Sequence, residues 1–212
     1  MSRNLWGRIV ARLLSGPGMS RARTFVTRFS RFVDVDETLL DLGCGTGQVG
    51  LFSRLYRRQN VTLADVRPPW WYIGQWLFGV PCAKALAQKY AMRYVMCDGV
   101  RLPFADGEFD TLLLLSVLHH AKSPEAVLAE AARVSRKRVI VFEDIPRTRC
   151  EALVCWVADV LINLEVPLPG RSHGNRSQVA WEKAFGSVGL RVTHVESFHI
   201  PLFPITMFVL GK

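Results

Sequence analysis

LLDLGCGTGQVG, residues 39–50, sets four glycines and one acid behind a short apolar run. Without a Cβ, glycine adopts positive φ freely and lets another group touch the main chain, so this stretch is either a tight turn or a place of close approach. The surrounding sequence favours a turn between a strand and a helix. TLLDLG is a short apolar run with a β pattern, GQVGLFSRLYRR places its apolar residues at helical spacing, and NVTLADV is again strand-like, which together read as a βαβ unit. The glycine spacing is GxGxG. Gln48 stands where the dinucleotide-binding fingerprint GxGxxG would have its third glycine.

The same alternation continues downstream. RYVMCD, FDTLLLLSV and KRVIVFED read as further strands. A helix between the last two is expected to start at Ser123, with Pro124 in its first turn and Val127, Leu128, Ala131 and Val134 on one face. FDTLLLLSV is apolar without alternation, as a strand covered by helices on both faces should be, and this argues for a central parallel sheet. A helix from Ser177 to Gly189 precedes LRVTHVESF and ITMFVLGK, which are close enough to form an antiparallel pair at the far side of the sheet. Ahead of the first strand, SRARTFVTRFSRFV places Phe25, Phe29, Phe32 and Val33 at helical spacing, and SGPG separates it from an earlier segment. The reading is an N-terminal helical appendage over residues 1–36 and one α/β domain over 37–212.

A chain of 212 residues that is half hydrophobic can bury one large core. Its five cysteines are odd in number and form no CxxC pair, so reduced thiols and a cytoplasmic setting are expected. The net charge is +9, and seven arginines, from Arg3 to Arg31, precede the first acid, Asp34. On a helix, Leu5, Ile9 and Leu13 with Trp6, Val10 and Leu14 oppose Arg8 and Arg12, giving a basic amphipathic helix that either packs on the domain or rests on an anionic membrane surface. Arg8 and Arg12 also break the apolar core that a secretion signal would need. No aromatic residues interleave the basic ones as a stacking platform would, so nucleic acid ranks low as a partner.

Two further acids bear on the glycine stretch. Asp65 ends the second strand 22 residues after Gly43, where a carboxylate can accept both hydroxyls of a ribose, and Asp98 ends the third. Acids at successive strand ends beside a glycine turn point to a nucleoside-like ligand. On these residues, the chain resembles the class I S-adenosylmethionine-dependent methyltransferases of the type 11 group. LLDLGCGTG is similar to that family's first motif, TLADV to its second, YVMCDGVRLPF to its third and DGEFDTLLLLSVLHH to the run through the fourth strand, covering residues 38–145.

The resemblance implies a Rossmann-like, seven-stranded, mostly parallel sheet with its last strand antiparallel, and S-adenosylmethionine as cofactor. By position, Asp41 would orient the methionine ammonium and Gly43, Cys44, Gly45 and Gly47 would line its backbone-like portion. Asp65 with Val66 would hold the ribose, Asp98 the adenine amine, Gly99 and Val100 the ring edge, and Ser116 the methionine side. Cys44 is read as packing, not as a nucleophile. Methyl transfer from a sulfonium needs alignment and exclusion of water. If the acceptor must lose a proton, His119 and His120 are the first candidates for the base, with Glu143 and Asp144 behind them. Ser116 and Leu118 offer no carboxylate to complete a metal site, so no metal is expected.

The acceptor is expected to be a small molecule. The chain lacks the Asp/Asn-Pro-Pro-Tyr/Phe run of amino methyltransferases that act on DNA bases or glutamine. RPPWWYIGQWLFGVP and LVCWVADVLINLEVPLPG, both rich in apolar residues, favour a hydrophobic or lipid-like acceptor and a peripheral membrane contact if part of either is exposed. Two rival readings are a catalytically silent module that binds the cofactor and acts through partners, and an RNA methyltransferase drawing on the net charge.

Overall fold

The computed structural model describes residues 17–66, 82–163, 176–200 and 203–212. Side chains are described within these spans except at 17–19 and 158–163. The basic amphipathic segment at residues 5–14 and the aromatic-rich run 67–81 lie outside the described residues, as does 164–170 of the second apolar run.

In chain order the elements are α1 (Pro17–Phe29), β1 (Thr38–Leu42), α2 (Gln48–Tyr56), β2 (Asn60–Asp65), α3 (Ala83–Lys89), β3 (Arg93–Met96), β4 (Phe109–Leu115), a single 3₁₀ turn (Leu118–His120), α4 (Pro124–Val134), β5 (Ser135–Asp144), α5 (Arg149–Asn163), α6 (Gln178–Ser187), β6 (Arg191–Ile200) and β7 (Phe203–Gly211). The seven strands form one sheet in the order β3-β2-β1-β4-β5-β7-β6. The pairings β3–β2, β2–β1, β1–β4 and β4–β5 are parallel, and β7 runs antiparallel to both β5 and β6. The expected Rossmann-like sheet is therefore present, its reversed strand inserted between β5 and β6. Helix α3, which sequence patterning did not identify, is capped by Cys82, whose Sγ accepts from the Ala85 N–H.

Every residue of β4 from Phe109 to Leu114 is buried, as its unbroken apolar run requires. Its side chains alternate between two cores. Leu113 joins Leu39, Leu63 and Ile140 beneath α1, α2 and α3, whereas Leu112 and Leu114 join Leu40, Val139, Val141 and Phe208 beneath α4 and α6. Ala22, Phe25, Val26 and Phe29 of α1 belong to the first of these cores, so the helical stripe seen in the sequence is the face that packs on the sheet. Trp181 and Phe185 of α6 anchor the second.

At the N-terminal ends of the strands, polar groups lace β1, β4 and β5 together. Glu37 is buried, and its carboxylate accepts from Lys137 Nζ at 3.0 Å, Arg138 Nη1 at 2.6 Å and Thr111 Oγ1 at 2.8 Å. Asp110 accepts from the backbone N–H and hydroxyl of Thr38, both at 3.0 Å, and from Arg136 Nη2 at 2.9 Å. The opposite ends of the strands are where the glycine turn lies. Among the described residues no helix is long and apolar enough to cross a membrane.

Candidate functional site

The chain leaves β1 toward β2 and β3, then returns to place β4 on the other side of β1. Strand order thus reverses between β1 and β4, and in open α/β sheets ligands bind in the crevice beyond the carboxyl ends of the strands at that point. Two turns border it here. One comes after β1 and carries Gly43, Cys44, Gly45 and Gly47; the other comes after β4 and carries Ser116, Val117 and Leu118.

The first turn is folded onto the end of β2. The N–H groups of Gly43 and Cys44 both donate to the Ala64 carbonyl, at 2.8 and 3.0 Å, and Gly47 N–H closes the turn on the Cys44 carbonyl at 2.8 Å. Gly43, Gly45 and Gly47 all have positive φ, between 56° and 75°. At Gly43 the restriction is also steric, since a Cβ would lie 2.4 Å from Val117 Cγ2. The two turns therefore touch, and only a residue without a side chain fits at the contact.

Two carboxylates serve this turn from below. Asp65, nearly fully buried, accepts the Gly45 N–H at 2.7 Å, so it faces the glycine turn. Asp41 accepts the Gly50 N–H at 3.2 Å with Oδ2, while its buried Oδ1 has no hydrogen-bond partner among the described residues. Burial pushes the Asp41 carboxyl up to about 7; the nearby charge of Asp65 adds to this and the Gly50 N–H opposes it. Cys44 is half-buried beside both acids, and burial first, then their charges, drive its thiol well above the ordinary range. A thiol held protonated is a packing group, not a nucleophile.

The third acid is differently placed. β3 ends at Met96, and the Cys97 N–H donates to the Asp65 carbonyl at 3.0 Å. Asp98 is exposed and accepts the N–H groups of Arg101 and Val100, at 2.7 and 2.9 Å, which hold its carboxyl below the ordinary value. Gly99, with φ of 76°, sits where a Cβ would be 3.5 Å from Val66 Cγ1, so the ends of β2 and β3 meet. Val66, Met96 and Val100 form an exposed apolar fringe there.

β4 stops at Leu115, two residues before the end of the expected strand. Ser116 takes a φ of 54°, and its N–H donates to the Phe142 carbonyl at 2.7 Å. Glu143, near the end of β5, holds the turn beyond β4 in place. One oxygen accepts from the N–H groups of Val117 and Leu118, at 3.2 and 2.8 Å, and the other lies 2.5 Å from His119 Nδ1. The His119 side chain is fully buried and its ring centroid is 4.0 Å from that of the half-buried His120. His119 thus has the orienting carboxylate that the sequence did not reveal, and Glu143 is committed to that turn.

Sequence reasoning also missed Arg21. From α1 it reaches across 95 residues of sequence to donate from Nη2 to Ser116 Oγ at 3.4 Å, and its guanidinium lies 5.4 Å from the ring centroids of both Phe25 and Phe203. The signal available was its place four residues before Phe25 in the helical stripe.

Gly43, Gly45, Gly47, Asp41, Asp65 and Ser116 are thus gathered at the switch point, with Gly99 and Val100 at its β3 edge. The architecture is a doubly wound sheet with a glycine turn and two buried carboxylates at its switch point. Residues 40–142, just under half of the chain, match the methyltransferase domain family. An uncharacterized methyltransferase of Mycobacterium sp. (strain JLS) is 32% identical over 99 residues, 47% of this chain and 34% of the relative. The chain thus spans about a third of the length of this curated relative. Among solved structures, the magnesium protoporphyrin IX methyltransferase of Synechocystis PCC 6803 with bound S-adenosylhomocysteine aligns with a TM-score of 0.65 at 15% identity, covering 99% of this chain and 95% of that one. The 1,6-didemethyltoxoflavin-N1-methyltransferase of Burkholderia thailandensis aligns with a TM-score of 0.64 at 18% identity, covering 97% and 82%. The fold is that of the class I S-adenosylmethionine-dependent methyltransferases.

Proposed function

We propose that the chain binds S-adenosylmethionine in the crevice beyond β1 and β4 and transfers its methyl group to a small apolar or lipid-like acceptor. The observation that carries the reading is the Asp65 carboxylate, nearly buried and aimed at the Gly45 N–H of the glycine turn. The residues fit the cofactor. The positive-φ glycines of the turn offer bare main chain to its amino-acid portion, the unpartnered Asp41 Oδ1 suits an ammonium, and Asp65 suits the ribose hydroxyls. Cys44 packs the floor of the turn, Val66, Gly99 and Val100 offer an apolar bed to the adenine, Asp98 shapes that loop beside the adenine amine, and Ser116 borders the methionine. When bound, the cofactor supplies a methyl group on a positively charged sulfur. The protein's tasks are then to hold the acceptor in line with it and to exclude water.

Support for an apolar acceptor comes from α5, which leaves the sheet at the same end as the crevice. Leu153, Trp156 and Val157 lie at i, i+3 and i+4 on it, and all are exposed, Leu153 to 60%. His119 or His120 would take a proton from the acceptor where one must leave, with Glu143 orienting His119. The test is calorimetry with S-adenosylmethionine and then transfer of a labelled methyl group into a lipid and metabolite extract. Binding in the micromolar range and label in an organic-soluble product are expected. Binding with no label in any fraction would leave a silent cofactor-binding module, and label only in polar metabolites would remove the apolar acceptor.

A further inference from the structure

Arg21 and Arg28 of α1, and Arg31 just beyond its end, turn toward the β6–β7 edge of the sheet, and among the described residues only Arg28 and Arg31 have a carboxylate counter-ion. Arg28 and Arg31 each pair with a different oxygen of Glu196 on β6. Arg21, half-buried one turn and more toward the start of the helix, meets among the described residues the Ser116 hydroxyl and the faces of Phe25 and Phe203. Among the described residues no carboxylate pairs with it. A guanidinium that has lost part of its water without gaining an anion is poised to accept one, and its planar fork matches a carboxylate.

Its position says which molecule would bring that anion. Ser116 comes directly after β4, and Phe203 begins β7, two strands farther out, whereas Asp65 ends β2, two strands to the other side. At roughly 4.8 Å per strand, Asp65 and Phe203 are separated by on the order of 19 Å, room for the cofactor with a second small molecule beyond it. We infer that Arg21 receives a carboxylate carried by the methyl acceptor, whose apolar body lies against Phe25 and Phe203. The inference rests on the cofactor placement proposed above. The other source of the same chemistry is the carboxylate of the cofactor's own methionine portion.

Calorimetry with 2-naphthoate and its neutral counterpart 2-naphthamide, each with and without saturating S-adenosylhomocysteine, tests this on the wild-type chain, Arg21→Met and Arg21→Lys. Arg21→Met keeps an apolar stem against the two rings, and Arg21→Gln replaces it should it fail to fold. The wild type should bind naphthoate at least tenfold tighter than naphthamide. The preference should vanish in Arg21→Met and persist in Arg21→Lys, with affinity for S-adenosylhomocysteine unchanged within twofold throughout. A preference that is absent in the wild type, or that survives Arg21→Met, overturns the inference. So does a tenfold loss of S-adenosylhomocysteine affinity in Arg21→Met with 5′-methylthioadenosine binding unaltered, because the anion is then the cofactor's. If S-adenosylhomocysteine does not bind the wild type but the Arg21-dependent preference for naphthoate remains, the carboxylate site stands and the cofactor placement falls.

Discussion

Replacing Gly43 by alanine should damage the fold and the crevice together, and a second substitution should repair a definable part of the damage. Two costs arise. The backbone at Gly43 has φ of 75°, a conformation that costs an alanine roughly 1–2 kcal/mol. The added methyl group would also lie 2.4 Å from Val117 Cγ2 and 3.1 Å from Cγ1, an overlap that must be relieved by moving one turn against the other, costing about 1–3 kcal/mol. Gly43→Ala is therefore expected to lose about 2–5 kcal/mol of stability. Val117→Ala removes both obstructing carbons and leaves its own Cβ 3.3 Å from the added methyl, so in that background the backbone cost remains with a small residual contact. Urea unfolding of the wild type, both single variants and the double variant gives the coupling between the positions directly. A favourable coupling of about 1–3 kcal/mol is expected, and the double variant should recover part of the affinity for S-adenosylmethionine lost by Gly43→Ala. Additivity within about 0.5 kcal/mol would refute the claim that the two turns are wedged against each other.

The same geometry sets other outcomes. Asp65→Asn can still accept the Gly45 N–H but lacks the charge, so affinity for the cofactor should fall by about 1.5–3 kcal/mol in calorimetry; an unchanged affinity would remove Asp65 from the ligand. Asp41 has its folded pKa raised to about 7 from an ordinary 3.8. Its contribution to stability is thus fully present below about pH 4 and lost as pH rises through 7, roughly 4 kcal/mol in all. Asp41→Asn should flatten that part of the stability profile and be the more stable chain at pH 8; equal slopes between pH 5 and 8 in the two proteins would contradict the burial argument. Glu143→Gln should cost about 1.5–3 kcal/mol by weakening its bonds to Val117, Leu118 and His119. Nitrogen NMR should then show the His119 proton moving away from Nδ1, and an unaltered ring tautomer would argue against the pairing.

Much of the fold is legible in the sequence because it is local. The change from period-2 to period-3.6 patterning around residues 38–65 marks the first βαβ unit, and the unbroken apolar run of β4 marks the sheet as covered on both faces. The glycines and Asp65 follow from the strand pattern, which puts them at the ends of β1 and β2, where they meet through the Gly45 N–H. What the sequence withholds depends on contacts between distant segments. Val117 against Gly43, Glu143 behind His119 and Arg21 beside Ser116 are products of strand order, which no local pattern encodes. Asp98 shows the opposite limit. Its position just past a strand is plain from the pattern, but its Oδ1 serves the turn it begins, a use that composition cannot distinguish from ligand contact.

The lacing of Glu37 and Asp110 with Thr38, Thr111, Arg136, Lys137 and Arg138 sits a full strand length from the crevice. It divides the labour of the sheet: one rim anchors the strands while the other is left to chemistry. Substitutions along the anchored rim should alter how long the protein survives heating and leave its ligand preferences intact, so variation in acceptor choice can accumulate at the opposite rim without eroding the fold.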